Sequence, residues 1–210
     1  MKEVKETYEE LTVPNTFFEE LDIIIETNYN FEIKDWQYLP DKNSLETYKK
    51  VNGVWAMFGE EKNKVWSCLQ VAKTTDIGKE IKSDIVCLKK ELISTIKEID
   101  RVNYINQFGR KIFTHKEYIY TSVKEFVYNN IAKKYNHLIF VCVGKTDNEE
   151  EKRAMEIYFA WKTKAIYWRN GNKYREEPEF VAEDFKNREE AILNNIDCEI
   201  KRDINRRFSF

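Results

Sequence analysis

Glycine and proline are scarce in this chain: its 210 residues hold 6 Gly and 3 Pro. That leaves little material for long flexible linkers. The four cysteines (Cys68, Cys87, Cys142 and Cys198) form no CxxC pair. The ligand spacing of a zinc site is therefore missing, and buried, reduced thiols are expected. His115 and His137 are the only histidines, too distant in sequence to suggest a local metal motif. No apolar run approaches the roughly 18 residues of a membrane-spanning helix. The opening residues MKEVKETYEELTV carry charge where a signal peptide would have an apolar core. The expectation from these absences is a cytoplasmic protein that does not enter a membrane.

Apolar residues make up 42% of the chain and aromatics 14%, enough for a packed core and too much for a disordered chain. The length suits one large domain. Net charge is −2, but it is unevenly spread. Residues 101–175 carry 15 Lys and Arg against 7 Asp and Glu, and the rest of the chain is correspondingly acidic. Such a basic stretch suits a phosphate-facing surface, although solvated helix faces produce the same count.

The most structured stretch runs from Gly53 to Glu80. GVWAMF and VWSCLQV, rich in β-branched and aromatic residues, flank the polar cluster GEEKNK. This predicts a hairpin with Gly59 and Asn63 in its turn. Asp76 stands at the N-cap of a following helix, whose apolar face repeats at Ile77, Ile81, Ile85 and Leu88. HLIFVCV, starting at His137, reads as a buried central strand. Thr146 or Asp147 then caps a helix with Glu149, Glu150 and Glu151 in its first turn, where the helix dipole favours acids. Upstream, Asp22 to Trp36 is β-rich, with Asn28-Tyr29-Asn30 as a further hairpin turn, and Asn15 caps a short helix through Phe17 and Phe18. Residues 116–135 and 182–206 read as helices.

Hairpin, helix, helix, strand, then a helix bearing Glu156: this order resembles the GIY-YIG nuclease domain. Gly53-Val54-Trp55 takes the place of GIY and Gln70-Val71-Ala72 that of YIG, with Lys73 next. Ile166-Tyr167-Trp168 occupies the segment after the glutamate helix. The resemblance spans about residues 51–170 in layout. It implies an α+β fold with a small, mainly antiparallel three-stranded sheet flanked by helices. Residues 51–175 would form that domain, 1–50 an N-terminal extension packed on it, and 176–210 a C-terminal helical extension. It further implies a metal-dependent endonuclease acting on DNA, with Mg2+ or Mn2+ held by Glu156. Lys73, Glu156, Lys79 and Lys82 would be the catalytic groups. Arg153, Lys164 and Arg169 would contact nucleic acid, and a homodimer is an allowed assembly.

Such a site makes physical sense: metal and cation stabilise charge on phosphate oxygens while a base deprotonates water. The residues depart from it chemically. Trp55 and Gln70 replace the two tyrosines, Ala72 replaces a glycine, and the arginine register falls near Glu80. Lys79 or Lys82 lacks the bidentate fork of arginine. The alternative implied is a catalytically inactive module on the same scaffold, binding nucleic acid or protein. Tyr104, His115, Tyr118 and Tyr120 are candidate displaced bases or, more simply, packing aromatics and a surface histidine. Trp161, Tyr167, Trp168 and Arg169 combine aromatic and basic character, as base-stacking surfaces and ordinary cores both do. Asp22 with Glu32-x-Lys34 resembles the PD-(D/E)xK arrangement of two metal-binding acids and a lysine, a pattern that arises readily by chance in a chain that is 34% charged.

Overall fold

The computed structural model describes residues 13, 15–18, 21–40, 44–62, 64–89, 128, 131–168 and 198–207. Five antiparallel strands form one sheet: β1 (Ile23–Asn30), β2 (Asp35–Tyr38), β3 (Gly53–Glu61), β4 (Trp66–Thr74) and β5 (Tyr135–Lys145), in the order β2-β1-β5-β3-β4. Three α-helices are described, α1 (Ile77–Lys89), α2 (Glu149–Lys162) and α3 (Cys198–Arg207). Among the described residues, no helix is long and apolar enough to cross a membrane.

The α+β class follows the sequence expectation, but the three-stranded sheet is corrected to five. β1 and β2 extend it past β5, with Thr27 opposite Leu138 and Asn28 opposite His137. The upstream hairpin therefore belongs to the sheet that residues 53–61 begin. Its turn is 31–34 rather than Asn28-Tyr29-Asn30, which are strand residues paired with Gln37, Trp36 and Asp35. The Asn30 side chain instead closes the turn, accepting from Glu32 N at 2.9 Å. The central turn is also displaced. β3 continues through Gly59 to Glu61, and a Cβ on Gly59 would meet Leu69 Cδ1 at 2.7 Å and the Tyr135 ring at 2.8 Å. Asn63 lies outside the described residues.

Alternation along the strands divides the core into two layers. Val54, Ala56, Phe58, Cys68, Val71, Ile139, Val141 and Val143 face α2 and α3. Trp55, Met57, Leu69, Leu138, Phe140 and Cys142 face α1. β3 and β5 are covered on both sides, which is why each reads as a continuous apolar run. A bulge matches Phe58 with Cys68 but Met57 with Gln70, leaving Leu69 between them. It re-aims the strand so that Gln70 joins Leu69 on the α1 side.

Helix starts are fixed by side chains. Asp76 Oδ1 accepts from Lys79 N at 2.9 Å, as the sequence leads one to expect. That bond to a backbone N–H holds the Asp76 carboxyl below its ordinary value. α2 is capped by Asn148, whose side chain accepts from Glu150 N and Glu151 N at 2.9 and 3.2 Å. The expected caps, Thr146 and Asp147, serve otherwise. Thr146 Oγ1 accepts from Asn148 N at 3.2 Å and donates to Glu151, and Asp147 accepts from Asn52.

Candidate functional site

Two polar clusters flank the central hairpin, one in each layer. The first lies against α1. Trp55 Nε1 donates to Glu80 Oε2 at 3.3 Å. One helical turn on, Asp84 is 1% exposed and accepts from the Tyr128 hydroxyl, which also lies 2.7 Å from Gln70 Oε1. Burial, then the adjacent Asp84 charge, raises the Tyr128 phenol well above its ordinary value. The hairpin positions Trp55 and Gln70 and the helix position Glu80 do converge here, but around carboxylates.

The second cluster sits at the start of α2. Lys152 is 1% exposed; its Nζ donates to Asn52 Oδ1 at 2.6 Å and to Glu149. Asn52 Nδ2 donates onward to Asp147 Oδ1 at 2.8 Å. Lys73 Nζ reaches Glu149 Oε2 at 2.9 Å. Lys152 first and Lys73 second pull the Glu149 carboxyl down to about 2. Lys73 pairs across the sheet with Val54, a residue of the α2-side core, so it lies in the α2 layer.

Glu156 belongs to that same layer but not to that cluster. It is 4% exposed and accepts from Trp168 Nε1 at 3.1 Å. It lies seven residues beyond Glu149, about 10 Å along the helix. Lys73 and Glu156 are thus on one side of the sheet, while Trp55 and Gln70 are on the other. No concavity holds all four. The fit of Mg2+ or Mn2+ to Glu156 is poor: it is buried and one of its oxygens accepts from an indole N–H, whereas Mg2+ needs six oxygens and retains waters. Among the described residues, no three His, Cys, Asp or Glu are placed to hold a metal.

The other sequence candidates scatter. Lys79 and Lys82 are exposed on α1, Arg153 on α2, and Lys164 just beyond α2. Arg169, Tyr104, His115, Tyr118 and Tyr120 lie outside the described residues. Trp161 and Trp168 are core residues rather than a stacking surface. Asp22, 3.7 Å from Lys145, stands at one end of β1 and Glu32 and Lys34 beyond the other. Eight residues of strand, roughly 26 Å, separate them.

One arrangement has no forerunner in the sequence patterns. His137 on β5 lies between Glu26 of β1 at 3.1 Å and Glu60 of β3 at 3.4 Å, with its ring edge-on to Trp66. The cross-strand register brings these together, and no local motif could have announced it. The chain matches no protein-family model, no curated protein and no solved structure.

Proposed function

We propose that this chain is a nucleic-acid-binding module without phosphodiesterase activity, built on a scaffold similar to the GIY-YIG domain. One observation carries the reading. The candidate catalytic groups do not share one site: Lys79 and Lys82 stand on α1, while Lys73 and Glu156 lie on the α2 face, where each is already engaged by protein. Glu156 accepts from Trp168, Lys73 pairs with Glu149, and Trp55 donates to Glu80. A phosphate with its cation spans a few ångströms, less than the thickness of the sheet with its side chains. The basic balance of residues 101–175 and the exposed lysines of the described surface support nucleic acid as the ligand.

Fluorescence anisotropy with labelled DNA over a range of salt concentrations tests this. The expected result is binding whose logarithm falls linearly with the logarithm of salt. Salt-independent binding, or none, would turn the assignment toward a protein partner.

A further inference from the structure

Two of the four large hydrophobic side chains exposed among the described residues, Phe31 (50%) and Ile33 (59%), stand in the turn of the β1–β2 hairpin, at one end of the sheet. The other two are Tyr38, at the far end of β2, and Val86 on α1. The β3–β4 turn lies at the Phe31 end, because Asn28 and Glu61 both pair near the start of β5, opposite His137 and Tyr135. Lys62 Nζ accordingly sits 5.2 Å from the Phe31 ring centroid.

Lysines surround this tip. Lys34 and Lys64 close the two turns with φ of 49° and 63°, the left-handed region where glycine or asparagine is easier to place. Both are exposed, as are Lys62 and, just before β5, Lys133. Two of the acids here pair with lysines, Glu61 with Lys134 at 2.6 Å and Asp35 with Lys89 at 3.8 Å, while the less exposed Glu26 and Glu60 both contact His137. Of the exposed charges left over among the described residues, Glu32 is set against the four lysines 34, 62, 64 and 133. The surplus is cationic in a chain of net charge −2.

We propose that this tip binds single-stranded nucleic acid, with Phe31 stacking on a base and Lys34, Lys62 and Lys64 contacting phosphates. The proposal rests on the nucleic-acid reading above and names its surface. Tyr29 holds the Phe31 ring edge-on, centroids 4.7 Å apart at 84°. The half-exposed ring so oriented offers area on which a base can stack.

The test is anisotropy of labelled oligo(dT) over a salt series, with folding of each variant checked by thermal melting. Phe31→Ala weakens binding about tenfold, and Phe31→Leu, which keeps the apolar bulk, weakens it as well. The triple variant Lys34→Ala, Lys62→Ala, Lys64→Ala lowers the salt slope by about 2. Lys49→Ala, at the opposite end of the sheet, changes neither. If the wild type binds but Phe31→Leu and the triple variant match it, the tip is not the surface and the functional reading stands. A wild type that ignores oligo(dT) at every salt concentration but binds duplex DNA overturns the proposal and leaves the functional reading standing; one that binds neither sinks both. Cosedimentation with phosphatidylserine vesicles in place of oligo(dT) binding would overturn the proposal in favour of a membrane surface.

Discussion

The indole N–H of Trp168 donates to Glu156 at 3.1 Å, and both residues are buried. The bond ties the segment that follows α2 back to the middle of the helix. Trp168→Phe removes the donor together with part of a buried ring. It is expected to lower stability in urea by about 1–3 kcal/mol, the cost of leaving a buried acceptor short of its partner. Equal midpoints for the two proteins would show that this bond does not hold Glu156.

Lys152 is buried and joins β3 to α2 through Asn52 and Glu149. Lys152→Ala leaves both a gap and an unpaired amide oxygen, and is expected to cost about 2–3 kcal/mol. Lys152→Met refills the gap without the charge and should cost less. Chemical denaturation orders the three proteins; a methionine variant no better than alanine would assign the effect to charge alone.

Glu149 provides a pH signature. Its folded carboxyl is held at about 2 by Lys152 and then Lys73, below the ordinary value of about 4.3. The contribution is fully present above the unfolded value and is lost as pH falls from there toward 2. Glu149→Gln should therefore flatten the acid limb of the stability profile while leaving the neutral-pH shape alone. Superimposable acid limbs would contradict the pairing.

Gly53 and Gly144 approach each other across β3 and β5, but what lies next to them differs. A Cβ on Gly53 would strike the Gly144 carbonyl, which is backbone, whereas one on Gly144 would meet the end of the flexible Met155 side chain. Gly53→Ala should cost more than Gly144→Ala, with the former in or above the 1–3 kcal/mol range of overpacking. Thermal melts compare them, and the reverse order would refute this packing.

The thiols also differ. Cys68 is buried and its thiol is pushed up to about 12, chiefly by that burial, while Cys198 is exposed on α3. Native protein should give fast disulfide-reagent labelling at Cys198 and none at Cys68 until it is unfolded. Mass spectrometry of the labelled peptides decides it.

The parts legible in sequence were those with local signatures. The aromatic and β-branched runs around Gly53–Val71 gave two strands, the apolar repeat from Ile77 gave α1, and Asp76 announced its own cap. Gly59 misled because a glycine in a strand, kept small by the Tyr135 ring, looks like a glycine in a turn. The hairpin of β1 and β2 was visible, but its place in the sheet depends on pairing with β5 more than a hundred residues away. Which face Trp55, Gln70 and Glu156 take depends on a bulge at Leu69 and on helix placement. The Glu26–His137–Glu60 contacts and the lysine-ringed Phe31 tip arise only from register. Order along the chain resembled a nuclease, while the division of its groups between two layers was invisible until the sheet was folded.

Incubation of supercoiled plasmid with the protein and Mg2+ or Mn2+, wild type beside Glu156→Ala, separates a binding module from a nuclease. Intact plasmid with both proteins and indistinguishable DNA affinity are the expected result. Metal-dependent nicking by the wild type that disappears in Glu156→Ala would contradict it and make Glu156 a catalytic metal ligand.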